Sequence, residues 1–117
     1  MQDRINRSGY HAEEFVANIL RIYGLSIISR NIRLKFSELD IVGVYKNVLY
    51  IIEVRKRNYI NDFINVINYQ KINKIYKAGQ IYFNWISKIY NVNKINYYLA
   101  LVDGDFNVKF INFSNLI

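Results

Sequence analysis

The sequence predicts an α/β domain in which helices flank a mixed sheet, in the order helix, three strands, long helix, two strands. Three observations predict it. Residues 10–23 and 66–88 carry apolar side chains at three- and four-residue spacing, the mark of amphipathic helices. The remaining stretches are short runs rich in Ile, Val, Leu and Tyr, with the alternation of strands. A strand–helix–strand path over the second helix returns the chain to the sheet parallel to a neighbour, by the usual right-handed crossover.

A chain of 117 residues, 52% of them hydrophobic, is expected to form one domain, 1–117, with a single modest core. No run of about 18 apolar residues is present, and Met1-Gln-Asp-Arg lacks a signal-peptide layout, so a cytoplasmic protein without membrane partners is expected. The absence of cysteine excludes disulfides, thiolate nucleophiles and Cys-based zinc sites. With His11 the one histidine, any metal must be held by oxygen, which favours magnesium or manganese. A net charge of +7 points to an acidic partner, nucleic acid above all and DNA first. The bias toward Ile, Asn, Lys and Tyr is also what an AT-rich genome imposes without any binding role.

Residues 4–8 read as a polar lead-in with Ser8 as N-cap. Ala12, Phe15, Val16, Ile19, Leu20 and Tyr23 form the stripe of the first helix, and Gly24 stops it. Glu13 and Glu14 fall in its first turn, where carboxylates suit the helix dipole. Residues 25–35 read as a strand whose exposed face carries Arg30, Arg33 and Lys35. After a loop over 58–65, Asn61 or Asp62 caps the long helix, which buries Ile72, Ile75, Tyr76, Gly79 and Tyr82 and exposes Gln70, Lys71, Lys74 and Lys77. Residues 91–96 form a loop, and 97–102 and 106–113 a final hairpin turning at Asp103-Gly104-Asp105. The tyrosines and Trp85 read as core and interface residues, with base stacking open to one or two of them.

The chemistry concentrates in the hairpin between the helices. Strands over 38–45 and 48–55 join at Lys46-Asn47. Alternation puts Glu38 and Asp40 on one face of the first strand, and Glu53 and Arg55 on one face of the second, with Val48, Tyr50, Ile52 and Val54 turned to a core. Charges in strands this apolar are costly unless paired or bound to metal. The expectation is that Asp40 and Glu53 hold a divalent cation, with Arg55 beside them facing a phosphate. Arg55-Lys56-Arg57 is the densest basic run, readable as a solvated strand end or as a phosphate clamp.

Four segments together resemble the YraN-like family, small bacterial proteins of the PD-(D/E)XK nuclease superfamily. Gly9-Tyr-His-Ala-Glu13-Glu14-Phe-Val-Ala17-Asn-Ile-Leu20 is similar to the family's G-x-x-G-E-x-x-A-x-x-Y-L, with Ala12 where glycine is usual. Gly24 and Arg30-Asn31 are similar to its G-[YF]…R-N step. Glu38-Leu-Asp40-Ile-Val resembles G-E-I-D-L-I, with Ser37 for the glycine, and Glu53-Val-Arg55-Lys-Arg57 resembles E-V-K-x-R. Lys71 falls on a family lysine in the following helix. The match covers roughly residues 9–80.

The resemblance implies a restriction endonuclease-like core, αβββαβ, and a nuclease that hydrolyses phosphodiesters. Carried over, Asp40, Glu53 and the backbone carbonyl of Val54 hold Mg²⁺ or Mn²⁺. Glu13 matches a first-helix glutamate that some members, archaeal-type Holliday junction resolvases among them, add to the set; this reading and the dipole reading both stand. Glu38 supports the site, behind the metal ligands or paired with a base such as Arg57. Arg55, Lys56, Arg57, Gln70 and Lys71 face nucleic acid, and likeness to resolvases raises a homodimer. Such a metal lowers the pKa of a water and acts as a Lewis acid.

Two departures matter. Arg55 stands where the family has lysine, and arginine grips phosphate but stays protonated, so a mechanism needing a deprotonated lysine is excluded. The family's late R-F-D-V is replaced by Asn96-Tyr97-Tyr98-Leu99. Three readings follow: a metal-dependent endonuclease for branched or single-stranded DNA, a catalytically inactive nucleic-acid-binding module on the same fold, and a protein adaptor working through its tyrosines.

Overall fold

The computed structural model describes the backbone over residues 2–57 and 68–116, and the side chains over 11–57 and 68–116. The chain forms α1 (Gln2–Ile22), β1 (Ser26–Arg33), β2 (Glu38–Tyr45), β3 (Val48–Lys56), α2 (Tyr69–Ile86), β4 (Lys94–Val102) and β5 (Val108–Asn112), then a 3-10 turn, Ser114–Leu116. The strands lie in chain order, β1-β2-β3-β4-β5. All neighbours are antiparallel except β3 and β4, which run parallel across the α2 crossover. This mixed sheet between two helices agrees with the α/β, restriction endonuclease-like architecture expected. Among the described residues no helix is long and apolar enough to cross a membrane.

Each face of the sheet has its own core. Ala12, Val16 and Ala17 of α1 pack on Leu25, Ile41, Ile52, Val54, Ala100 and Val102. On the other face, Ile72, Ile75, Ala78 and Tyr82 of α2 pack on Leu39, Val42, Leu49, Ile51, Leu99 and Leu101. A helix can lie this close because Gly79 leaves room: a Cβ there would stand 2.5 Å from the Tyr97 hydroxyl. The Lys46-Asn47 turn has φ of 48° and 66°, the paired left-handed backbone of a two-residue hairpin.

Three expectations change. The first helix starts at Gln2, so residues 4–8 are helical and Ser8 is no N-cap. Glu13 and Glu14 consequently sit in mid-helix, and the dipole reading of both falls, because that field fades beyond the first turn. The long helix is capped by Asn68, whose side chain accepts a hydrogen bond from Lys71 N–H at 2.8 Å. Asn61, Asp62 and the 58–65 loop lie outside the described residues. At the far end of α1 the expectation holds: Gly24 has φ +100°, its N–H donates to the Arg21 carbonyl, and Leu25 N–H donates to Leu20. That is a Schellman stop, with Leu20 and Leu25 meeting in one core.

Candidate functional site

The β2–β3 ladder runs from Tyr45↔Val48 to Ile41↔Ile52. One step further would oppose Asp40 and Glu53. Pairing stops there, and Val54 N–H instead donates to Asp40 Oδ2 at 2.9 Å, so a side chain replaces a strand partner. Both acids are buried, Asp40 at 9% exposure and Glu53 at 3%. The Asp40 carboxylate stands close enough to Glu53 to act on it by charge and by hydrogen bonding. Burial, followed by the charge of Asp40, pushes Glu53 up to about 8, against the opposing pull of Arg55 and Lys71.

Arg55 turns inward. One of its terminal nitrogens is ion-paired with Glu53, and the other donates to the Val54 carbonyl at 3.2 Å. Lys71, at the start of α2, places its Nζ 3.4 Å from Ser37 Oγ, and its charge also bears on Glu53. Ser37 is buried and donates to the Glu38 carbonyl at 3.1 Å. β4 contributes apolar neighbours only, since Leu99 and Leu101 pair with Glu53 and Arg55.

α1 brings a third acid. Ala12 and Val16 dock on the sheet, and Glu13 beside them is held partly buried. Burial first, then the charges of Asp40 and Glu38, push Glu13 up to about 7, while Asn31 and Arg30 oppose them. Arg30 reaches Glu13 at 3.9 Å and Glu14 at 3.3 Å, and Arg21 reaches Glu14 at 3.5 Å. Among the described residues no three His, Cys, Asp or Glu side chains form a ready metal-holding group.

The structure thus brings together Asp40, Glu53, Arg55, the Val54 carbonyl and Lys71, with Glu13 close enough to feel Asp40. Glu38 is exposed, opposite Arg33 in register, and no ion pair joins it to Arg57 among the described residues. Arg57 continues the central strand β3 beside β4, N–H to the Val102 carbonyl, with Nη1 donating to the Lys56 carbonyl at 2.7 Å. Gln70 and Lys56 are exposed.

Sequence reasoning did not place Asn31 in the site. Its φ is +51° inside β1, between the pairs Arg30↔Ile41 and Ile32↔Leu39 and therefore opposite Asp40. With a register shift between Ile27 and Ser29, this twist lets Ile28 and Ile32 pack toward α2 while Arg30 points at α1. The signal was present: asparagine tolerates left-handed backbone better than any residue but glycine, and it interrupts a strand.

A model of a protein family described as the uncharacterised protein family UPF0102 matches residues 12–108. A UPF0102 protein of Clostridium botulinum strain 657 is 33% identical over 115 residues, covering 86% of this chain and 94% of that one. Another, from strain Loch Maree, is 32% identical over the same shares. A UPF0102 protein of Caldanaerobacter subterraneus is 30% identical over 76 residues, 63% of this chain and 62% of its own. The chain belongs to the UPF0102 family, the YraN-like family that its helix, hairpin and Glu-x-Arg motifs resemble.

Proposed function

We propose that this protein is a magnesium- or manganese-dependent nuclease of the cytoplasm, hydrolysing phosphodiesters in branched or single-stranded DNA. The observation that supports it is the buried contact between Asp40 and Glu53. A buried Glu53 raised by its burial and by Asp40 beside it, with Glu13 raised by burial and then by Asp40, forms a site that gains from a divalent cation. The residues fit such an ion in kind: the oxygens of Asp40 and Glu53, the Val54 carbonyl, and Glu13 at the margin. Bound there, the ion supplies an acidified water and a Lewis acid for the phosphoryl group. Asp40 and Glu53 would hold it, Glu53 giving up its proton to do so. Arg55, released from Glu53, meets developing charge on the phosphate and remains protonated. Glu13, raised to about 7, exchanges a proton in the range where a general acid–base is most effective.

The test is cleavage of branched and single-stranded DNA by the purified protein with Mg²⁺ or Mn²⁺, against EDTA. Asp40→Ala and Glu53→Ala should each abolish it, and activity that survives both refutes the assignment. One observation favours a second reading, a nucleic-acid-binding module without catalysis: Arg55 already occupies Glu53 as a built-in cation. That module would bind DNA equally in EDTA and show no calorimetric metal binding.

A further inference from the structure

The connection between β1 and β2, residues 34–37, presents one aromatic ring between Lys35 and Lys77. Leu34 packs into the core under α2, Ser37 is buried, and Leu34 N–H donates to the Ser37 carbonyl at 3.0 Å. With both ends of the loop pinned, Phe36 between them keeps 36% of its surface in solvent. Two cations attend its ring: Lys35 Nζ lies 5.6 Å from the centroid and Lys77 Nζ 5.3 Å. Lys71, one and a half turns before Lys77 on α2, touches Ser37 and acts on Glu53. Lys74, exposed, lies between them along the helix. Contacts thus link Glu53 to Lys71, Lys71 to Ser37, and Phe36, next to Ser37 in the chain, to Lys77.

We propose that Phe36 is a stacking platform for an unpaired nucleotide, with Lys35, Lys77 and Lys71 taking the phosphates on either side. This rests on the nucleic-acid reading above and narrows it to single-stranded or frayed strands. Two like-charged ammonium groups at one exposed ring repel each other until an anion joins them. A base stacks on a free ring only when it has left its own helix, so a duplex gains the phosphate contacts but not the ring. The pinned loop holds the ring ready before the strand arrives.

The test is fluorescence anisotropy with oligodeoxyuridylate, oligouridylate and a blunt duplex, all in EDTA so that binding is read without cleavage. Phe36→Ala should weaken single-strand binding by about tenfold or more, leave duplex binding unchanged, and be rescued by Phe36→Tyr. The two oligonucleotide arms tell a deoxyribose strand from a ribose one. Lys35→Gln with Lys77→Gln should lower the salt dependence on both kinds of strand. Phe36→Trp in a Trp85→Phe background gives a single reporter, whose emission a stacked base quenches. Equal loss on single strand and duplex, or no quenching, overturns the platform. If the wild-type protein binds no nucleic acid either in EDTA or with Ca²⁺ in place of Mg²⁺, the broader reading falls with it; if it binds and Phe36→Ala binds equally, only the platform falls.

Discussion

The two ends of the β2–β3 hairpin obey different rules. At the turn end every residue from Ile41 to Tyr45 has its partner, Lys46-Asn47 supplies the backbone that a tight turn needs, and Leu49 is fully buried. A cavity of about 280 Å³ near that end is walled by apolar groups, Tyr23, Tyr45, Tyr50 and Tyr98 among them. At the other end pairing stops, a side chain takes a strand hydrogen bond, an asparagine sits in left-handed backbone, and two acids are packed against each other. The difference teaches where the fold is stabilised and where it is spent. Local rules are kept at the turn and broken together around Asp40, which is the pattern of a functional site.

The comparison breaks most readily through substitutions of opposite sign. Leu49→Ala should cost about 2–5 kcal/mol in chemical denaturation, because a fully buried leucine leaves a cavity. Glu53→Gln should not destabilise the metal-free protein at pH 9 and should raise its stability, since folding there holds a charge that burial and Asp40 oppose. A Glu53→Gln variant as damaged as Leu49→Ala would make the acid pair an ordinary structural element.

A pH series sharpens the same contrast. Glu53 is raised from 4.5 to about 8 and Glu13 from 4.5 to about 7, so the folded state holds both protons more tightly than the unfolded chain. That stabilisation is fully present below pH 4.5 and is lost as pH rises through 7 and then 8. For the buried Glu53 the loss is on the order of 2–4 kcal/mol. Urea midpoints between pH 5 and 9 should fall accordingly, Glu53→Gln should flatten most of the fall, and Mg²⁺ should suppress it. A flat wild-type profile would count against a proton held on Glu53.

Arg55 offers a smaller effect. Its guanidinium holds the carboxylate that the proposed metal would need. At pH 9, where protons no longer compete, Arg55→Ala should tighten Mn²⁺ binding on the order of tenfold by calorimetry. Weaker binding would mean that Arg55 organises the ligands instead of competing with the ion.

Much of this was legible in the residues. Gly24, the Lys46-Asn47 turn, the parallel return over α2 and the meeting of Asp40 with Glu53 follow from spacing, alternation and crossover handedness. The failures have a common cause. Residues 4–8 are polar apart from Ile5, and composition alone cannot tell a helical turn from a lead-in; once α1 starts at Gln2, the place of Glu13 and Glu14 along it changes. Asn68 carried the same capping chemistry as Asn61 and Asp62, in a stretch crowded with candidates. The inward turn of Arg55 is a tertiary choice: it depends on how deeply Glu53 is buried, which no periodicity reports.

Asn31 provides the finest test of the irregular end, because backbone and side chain can be separated there. Asn31→Gly keeps the φ of +51° at little cost, whereas Asn31→Ala should lose about 1–2 kcal/mol in denaturation. Both remove the hydrogen bond that Asn31 gives Glu13, and that bond favours the ionised carboxylate. Carboxyl NMR titration should therefore find Glu13 above 7 in both variants, by similar amounts, although their stabilities differ. A shift in Asn31→Ala alone would assign the effect to backbone distortion. A shift in both ties the strained residue to the proton affinity of Glu13, and through it to the field of Asp40.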